Sequence, residues 1–323
     1  MSKTEDWSTV FVVIEFLVCL LGIVFNGLVI LTICRNITRL SAPSYLILSI
    51  AVSDFLSCSI AIPISIAAHF QKEWPHGMAG CKAHAFMVFL FALVSITHLA
   101  VISVGKYLTI SKSLSRESYF NSKQIVLAIL ATWIYSFGFS VAPLAGWSRY
   151  GLEGTNATCS VKWDSSLPSD KAYLGVVFIA CFFLPMGVIM FCYYKIHQVS
   201  KRIIGNARLQ IGGRMAMTMQ QALLRKQRKS AMYFLAIIAA FILSWCPYAV
   251  VSLLVVLLGK RLNAIATSAC SVFAKTSFLL NPILYAIFFR RFRRKISLVI
   301  PLTRPNQEPG PAAIPSNSQP FAL

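Results

Sequence analysis

The sequence predicts an all-α membrane protein, a bundle of seven transmembrane helices, and three observations support this fold class. Hydrophobic residues make up 57% of the 323 residues, and the mean hydropathy is +0.70, both well above the range of water-soluble proteins. Seven apolar stretches have the length of roughly 20 residues that a helix needs to cross a bilayer. None has the alternating pattern of barrel strands. Since only helices and closed barrels satisfy the backbone in lipid, no sheet is expected.

The apolar stretches define seven helices, numbered here in chain order. They lie at residues 9–34, 44–68, 82–108, 125–147, 172–198, 230–257 and 264–288. Residues 1–8 are expected to form a short unstructured N-terminus, and 300–323 a solvated tail rich in proline, serine, asparagine and glutamine. Residues 289–299 mix aromatic and cationic residues, which predicts a short amphipathic helix on the membrane surface.

The net charge of +20 is concentrated in alternate loops, so it does not indicate a nucleic-acid-binding protein. Basic residues follow the first, third, fifth and seventh helices, and the densest groups lie at 225–229 and 290–295. By the positive-inside rule, these segments and the C-terminus face the cytoplasm, and the N-terminus faces outward. Their expected partner is the anionic lipid of the inner leaflet.

Three ionisable residues lie deep in the predicted helices, where an unpaired charge is costly. They are Glu15 in helix 1, Asp54 in the middle of helix 2 and Lys275, about eleven residues into helix 7. We interpret Asp54 as part of an interhelical polar network or a sodium site. Desolvation favours the neutral, nucleophilic form of a buried amine, which is the form that condenses with an aldehyde. Lys275 is therefore either such a nucleophile or the partner of a neighbouring acid.

Two of the nine cysteines lie outside the apolar runs, on the side predicted to be extracellular. Cys81 lies at the outer start of helix 3, and Cys159 lies in the loop between helices 4 and 5. An oxidising face allows these two residues to form a disulfide, which would draw the loop across the bundle. The same loop contains Asn156, a candidate glycosylation site in the sequon Asn-Ala-Thr.

Short motifs recur in six of the predicted helices. They are Val24–Gly27 in helix 1, Ala51–Asp54 in helix 2, Trp133 in helix 4, Pro185 and Tyr193 in helix 5, Ser244–Tyr248 in helix 6, and Asn281–Tyr285 in helix 7. Together they resemble the rhodopsin-like class of G-protein-coupled receptors over nearly the whole chain. Within that class, a helix-7 lysine six residues before the Asn-Pro pair resembles the retinal attachment site of opsins. The loop run 146–150 resembles the opsin segment that covers the chromophore.

The resemblance to opsins implies a covalently bound cofactor. Retinal, in its 11-cis or all-trans form, would be joined to Lys275 as a Schiff base. Trp245 and Tyr248 would line the pocket around the retinal ring.

The same resemblance implies a conformational switch in helices 6 and 7. Pro247 would give helix 6 a hinge by removing one backbone hydrogen bond, and Asn281, Pro282 and Tyr285 would form the switch motif of helix 7.

A protonated Schiff base needs a counter-charge, which opsins supply from helix 3 or from the covering loop. The helix-3 position, three residues after Cys81, is His84, so the acid is missing there. Glu153, six residues before Cys159, resembles the loop counterion and is assigned that role, with Glu15 as a less favoured substitute. His84 is interpreted either as a proton-handling group or as a hydrogen-bonded polar residue near the loop.

The last turns of helix 3 differ from the motif that most receptors of this class use in signalling. Most receptors of this class have an acid, an arginine and a tyrosine there, whereas this chain has Gly105, Lys106 and Tyr107. Lysine is a point charge and lacks the planar fork of arginine, so the exchange is not conservative. Lys106 and Tyr107 are the residues expected to face a G protein. The segment 80–86 is similar to photoisomerase-type opsins, and 156–163 is similar to peropsins and neuropsins.

The sequence therefore predicts a divergent non-visual opsin of the plasma membrane. We expect a light-sensing G-protein-coupled receptor rather than an enzyme, with a heterotrimeric G protein as its partner. One alternative is a retinal photoisomerase opsin with little or no signalling. Another is a receptor for a different ligand, in which Lys275 is only a buried amine.

Overall fold

The computed structural model describes residues 3–35, 42–111, 121–209, 214–259 and 263–288. In those ranges, seven helices are long and apolar enough to cross a membrane, which confirms the predicted fold class. They are Lys3–Cys34 (helix 1), Ala42–Leu56 with Ile62–Gln71 (helix 2), Gly77–Ser111 (helix 3), Ser122–Val141 (helix 4), Pro168–Val177 with Leu184–Leu209 (helix 5), Arg214–Leu258 (helix 6), and Ala264–Lys275 with Ser277–Phe288 (helix 7). The predicted amphipathic helix at 289–299 and the tail at 300–323 lie outside the described residues.

Two of the helices contain a π-helical turn before a proline. Ser57–Ala61 joins the two parts of helix 2 ahead of Pro63, and Phe178–Phe183 does the same in helix 5 ahead of Pro185. Proline lacks the amide proton of a regular helix and clashes with the carbonyl one turn earlier. The wider π turn accommodates the proline ring without breaking the helix.

Helices 1, 4, 5 and 6 differ most at their ends from the predicted stretches, and helix 5 continues to Leu209 rather than ending at residue 198. Helix 1 begins at Lys3 rather than at residue 9, because no glycine or proline interrupts its first turns. Helix 4 ends at Val141 rather than at residue 147, because the chain turns through Gly146, whose φ of 100° suits a residue without a side chain. Helix 6 begins at Arg214 rather than at residue 230. Its first turns are rich in helix-forming polar residues, which hydropathy does not detect.

Helix 3 lies at the centre of the bundle. Of its most apolar window, 67% is buried, against 22% for helices 4 and 6, and it packs against helices 2, 4, 5 and 6. A continuous core joins all seven helices. Its members include Val29 of helix 1, Ile50 of helix 2, Leu99 of helix 3, Ile237 of helix 6 and Tyr285 of helix 7.

A β-hairpin lies between helices 4 and 5, although no sheet was expected. Strand β1 (Tyr150–Glu153) pairs antiparallel with β2 (Thr158–Val161). The hairpin lies outside the membrane-crossing helices, so its polar edges do not violate the rule that led to an all-helical prediction. We call the end of the bundle that carries it the hairpin end.

The hairpin is held at both sides. A disulfide joins Cys159 of β2 to Cys81 of helix 3 with a Cα–Cα distance of 5.4 Å, which confirms the predicted bridge. In the turn, the Thr155 amide donates a hydrogen bond of 3.0 Å to Ser268 Oγ of helix 7. The hairpin therefore spans the bundle from helix 3 to helix 7 as a lid.

Candidate functional site

A cavity lies directly beneath β2, between helices 3, 5, 6 and 7. The cavity has a volume of about 120 Å³. Its walls are mostly aliphatic and aromatic, and they include four of the residues predicted to surround the cofactor, namely His84, Trp245, Tyr248 and Lys275. The structure thus brings together side chains from three helices around a space suited to an apolar ligand.

Lys275 reaches the cavity from the end of the first segment of helix 7. The residue is 1% exposed, and its amine forms polar contacts on the side away from the cavity. Nζ donates to Glu15 Oε1 at 2.6 Å and to Ser65 Oγ at 3.1 Å. The amine therefore lies at the boundary between the cavity wall and helices 1 and 2.

Glu15 is the centre of a buried polar cluster that joins three helices. Besides Lys275, it accepts a hydrogen bond of 2.9 Å from Ser65 Oγ, and its Oε2 lies 3.0 Å from His69 Nδ1. All four residues are buried. The sequence suggested Glu15 only as a substitute counterion, and Ser65 and His69 were not predicted from it. Their spacing of four residues places them on one face of helix 2, a signal that could have suggested a shared partner.

Glu153 is held by a different group. Its Oε1 accepts a hydrogen bond of 2.9 Å from the Tyr248 hydroxyl, which in turn accepts one of 2.9 Å from Trp163 Nε1. Burial raises the pKa of Glu153 to about 7, against the opposing effects of the Tyr248 hydrogen bond and of Lys275. Among the described contacts, Lys275 is paired with Glu15 rather than with Glu153. The counterion role of Glu153 stays a prediction.

Two further predicted residues form part of the cavity wall. Trp245 donates from Nε1 to Ser277 Oγ of helix 7 at 2.9 Å and packs edge-on against Tyr248, with 6.1 Å between ring centroids. His84 is buried, and its ring packs edge-on against Trp74 at 5.4 Å. Trp245, a residue of helix 6, thus contacts both the cavity and helix 7.

The middle of the bundle contains the predicted polar network around Asp54. Its carboxylate accepts hydrogen bonds from Asn281 Nδ2 at 2.8 Å and from Ser95 Oγ at 3.2 Å. Pro282 lies inside helix 7, next to Asn281, and Tyr285 is buried one turn further on. Helices 2, 3 and 7 are joined here below the cavity. Pro247 likewise lies inside helix 6, two residues from Trp245.

The end of the bundle opposite the hairpin carries a link between helices 3 and 6. Lys106 Nζ donates a hydrogen bond of 2.8 Å to Ser230 Oγ and lies 5.0 Å from the centre of the Phe234 ring. The Tyr107 ring lies edge-on to that of Phe191 of helix 5, at 6.3 Å. A cation on helix 3 thus contacts helix 6 through a hydroxyl and a ring rather than through an acid.

Comparison with known proteins decides the family. Residues 25–285 match the sequence profile of the "7 transmembrane receptor (rhodopsin family)". This chain belongs to that family. The receptor is also similar to the crystal structure of squid rhodopsin, with a TM-score of 0.84 and 27% identity over 93% of this chain and 87% of that one.

Several curated relatives of the receptor are melanopsins. Melanopsin-B of Xenopus laevis is 33% identical over 88% of the receptor and 53% of its own length. Melanopsin-A of Danio rerio is 34% identical over 88% of the receptor and 48% of its own length. Melanopsin of Rattus norvegicus is 34% identical over 88% of the receptor and 60% of its own length. The receptor thus spans about half the length of these relatives.

These matches confirm the resemblance to opsins that the helix motifs indicated. Melanopsins are not the neuropsin, peropsin or photoisomerase-type group suggested by the segments 80–86 and 156–163. The matches do not favour the photoisomerase alternative.

Proposed function

We propose that this receptor is a light-sensing opsin that binds retinal covalently through Lys275 and acts on a heterotrimeric G protein. The observation that carries the proposal is a buried primary amine on the wall of an apolar cavity, covered by a disulfide-linked hairpin. The similarity of the receptor to melanopsins and to squid rhodopsin supports the same function.

The residues around the cavity fit this cofactor. Retinal supplies an aldehyde, which condenses with the amine and releases water, and a polyene that changes shape when it absorbs light. Lys275 provides the amine, and the aromatic rings of Trp245 and Tyr248 provide an apolar wall for a hydrocarbon chain and ring. The hairpin and the disulfide keep bulk water away from the nitrogen of Lys275.

Trp245 is positioned to pass motion from the cavity to the helices. Its indole touches the cavity, bonds to Ser277 of helix 7 and lies two residues before Pro247. A displacement of this ring breaks or strains the contact between helices 6 and 7 where proline has already weakened helix 6. Two states of the bundle that differ at Trp245 would therefore present different faces to a G protein.

We also propose the orientation of the receptor in the plasma membrane. The hairpin end faces outward, because a disulfide persists in an oxidising exterior. The opposite end, where Lys106 and Tyr107 lie, faces the cytoplasm and the G protein. The basic segments that follow helices 1, 3, 5 and 7 support this orientation.

The proposal is tested by absorbance and by nucleotide exchange. The receptor is incubated in the dark with 11-cis or all-trans retinal, and difference spectra are recorded before and after illumination. We expect a light-sensitive band in the native chain and in Lys82→Ala, a change at an exposed lysine of helix 3, and no band in Lys275→Ala. Illumination should then raise nucleotide exchange on a G protein. Absence of a band with either isomer would refute the proposal.

A further inference from the structure

We propose that Glu15 of helix 1, rather than Glu153 of the hairpin, is the counter-charge of the Lys275 nitrogen. For the free amine, the inference rests on the geometry alone. For the retinal-bound form, it also rests on the function proposed above. In this role, Glu15 is a positioning residue that keeps the Lys275 nitrogen protonated.

The contacts of Lys275 carry the inference. Its Nζ lies 2.6 Å from Glu15 Oε1, and both side chains are at most 2% exposed. A buried charge is stable only when it is paired and its remaining hydrogen-bonding positions are filled. Ser65 contacts both partners, at 3.1 Å from the amine and 2.9 Å from the carboxylate. The second carboxylate oxygen, Oε2, faces His69 Nδ1. The Glu15 carboxylate therefore has three neighbours able to donate, which is the environment that an ionised acid requires.

Glu153 lacks such an environment. Its hydrogen-bond partners are the neutral hydroxyls of Tyr248 and Ser160, and burial raises its pKa to about 7 against their effect. Burial therefore works against the ionised form of Glu153, whereas the Glu15 carboxylate is paired directly with the amine. The helix-3 position carries His84, which cannot supply a negative charge.

The titratable groups around the amine come from several elements. Glu15 lies on helix 1, His69 on helix 2, His84 on helix 3 and Glu153 on the hairpin, and the first two are in hydrogen-bonding contact with each other. Once the Lys275 nitrogen is bonded to a ligand carbon, it keeps a single proton when charged. Glu15 Oε1 is the nearest acceptor for that proton, and Ser65, which accepts from the free amine, continues to donate to Glu15.

The first test uses the receptor without retinal. Thermal unfolding is measured for Glu15→Gln, Lys275→Met and the double variant, with Glu73→Gln, an exposed acid, as control. We expect each single change to lower the unfolding temperature, because it leaves the other group buried without its partner. The double variant should recover most of that loss. Simple addition of the two losses would overturn the inference.

The second test uses the absorbance of the retinal-bound receptor at pH 7. Glu15→Gln should lose the visible band in favour of a near-ultraviolet band that reverts on acidification, whereas Glu153→Gln should keep the visible band. If Glu15→Gln does not fold, Glu15→Asp, which withdraws the carboxylate by one methylene, should shift the band while Glu73→Gln does not. A band that responds to Glu153→Gln but not to changes at Glu15 would overturn the inference and leave the proposed function intact. If the native chain forms no band, the proposed function fails, and the unfolding experiment still decides the Glu15–Lys275 pair.

Discussion

At the scale of the single residue, the site depends on how its buried ionisable groups are paired. The Lys275 amine and the Glu15 carboxylate satisfy each other inside the bundle. Glu153, outside the membrane-crossing helices, is bonded to a neutral hydroxyl. Two acids near one end of the bundle therefore have different electrostatic environments, one fixed by a cation and the other governed by desolvation.

The raised pKa of Glu153 predicts a particular pH dependence of stability. Its pKa in the folded receptor is about 7, above its ordinary value of 4.5, so the folded state binds more protons between these values. The stability that Glu153 contributes is fully present below pH 4.5 and is lost as the pH rises from that value through 7. We expect Glu153→Gln to remove roughly 1–3 kcal/mol of this dependence, measured as unfolding temperature between pH 5 and pH 8.

The control for that experiment is Glu73→Gln, because Glu73 is exposed. This variant should keep the pH dependence of the native chain. An unchanged slope in Glu153→Gln would show that Glu153 is not the group responsible.

The sequence could predict Lys275 but not its partner, because the two residues are far apart in the chain. The depth of Lys275 in an apolar stretch marked it as a functional residue without any structure. Its partner Glu15 lies 260 positions away in the chain, and no spacing rule connects the two. The resemblance to opsins pointed instead to Glu153 in the covering loop. Only the packing of helices 1, 2 and 7 shows that Glu15 lies beside the amine.

At the scale of the element, the hairpin is the feature that closes the site. It is fixed to helix 3 by the disulfide of Cys159 and to helix 7 by Thr155 and Ser268. Its turn needs a glycine at Gly154, where φ is 59° and an added Cβ would meet Ser268 Oγ and the Ala264 carbonyl. The hairpin was not predicted, because four-residue strands in a polar loop give no hydropathy signal.

Gly154→Ala should therefore loosen the lid. The strained φ and the collision with helix 7 are expected to cost about 1–3 kcal/mol and to lower the thermal stability of the receptor. The unfolding temperature measures the stability of the receptor. The rate at which hydroxylamine attacks bound retinal measures how well the lid closes the cavity.

The matched control is Gly151→Ala in strand β1. A Cβ there meets only Lys162 Cδ, at 3.9 Å, which is ordinary contact. Equal effects of the two changes would contradict the claim that the turn must approach helix 7 closely.

At the scale of the whole molecule, a covered cavity lies at one end of the bundle, and a link between helices 3 and 6 lies at the other. Hydropathy was sufficient to predict the number and order of the helices, because lipid imposes a length and a composition on each of them. It could not predict the first turns of helix 6, from Arg214 to about residue 229, because they are helical but polar. The contact of Lys106 with Ser230 depends on the packing of that region.

Ser230→Ala tests whether this link restrains the receptor in the dark. Loss of one hydrogen bond from a cation, worth about 1 kcal/mol at a partly buried site, should raise dark nucleotide exchange by about fivefold. The measurement is nucleotide exchange on purified G protein without illumination.

Ser111→Ala is the control, because the Ser111 hydroxyl bonds to the Leu108 carbonyl within helix 3. Its dark exchange should equal that of the native chain. Dark exchange that is unchanged in Ser230→Ala would mean that the contact between Lys106 and Ser230 does not hold the inactive state.

The central claim is that Lys275 is the residue to which retinal is joined, and locating the attached mass tests it most directly. The receptor is loaded with retinal in the dark, the covalent bond is fixed by borohydride reduction, and the fragments are sequenced by mass spectrometry. We expect the added mass on Lys275 alone, and none in Lys275→Ala. An adduct on another lysine, or no adduct in a receptor that shows a light-sensitive band, would contradict it.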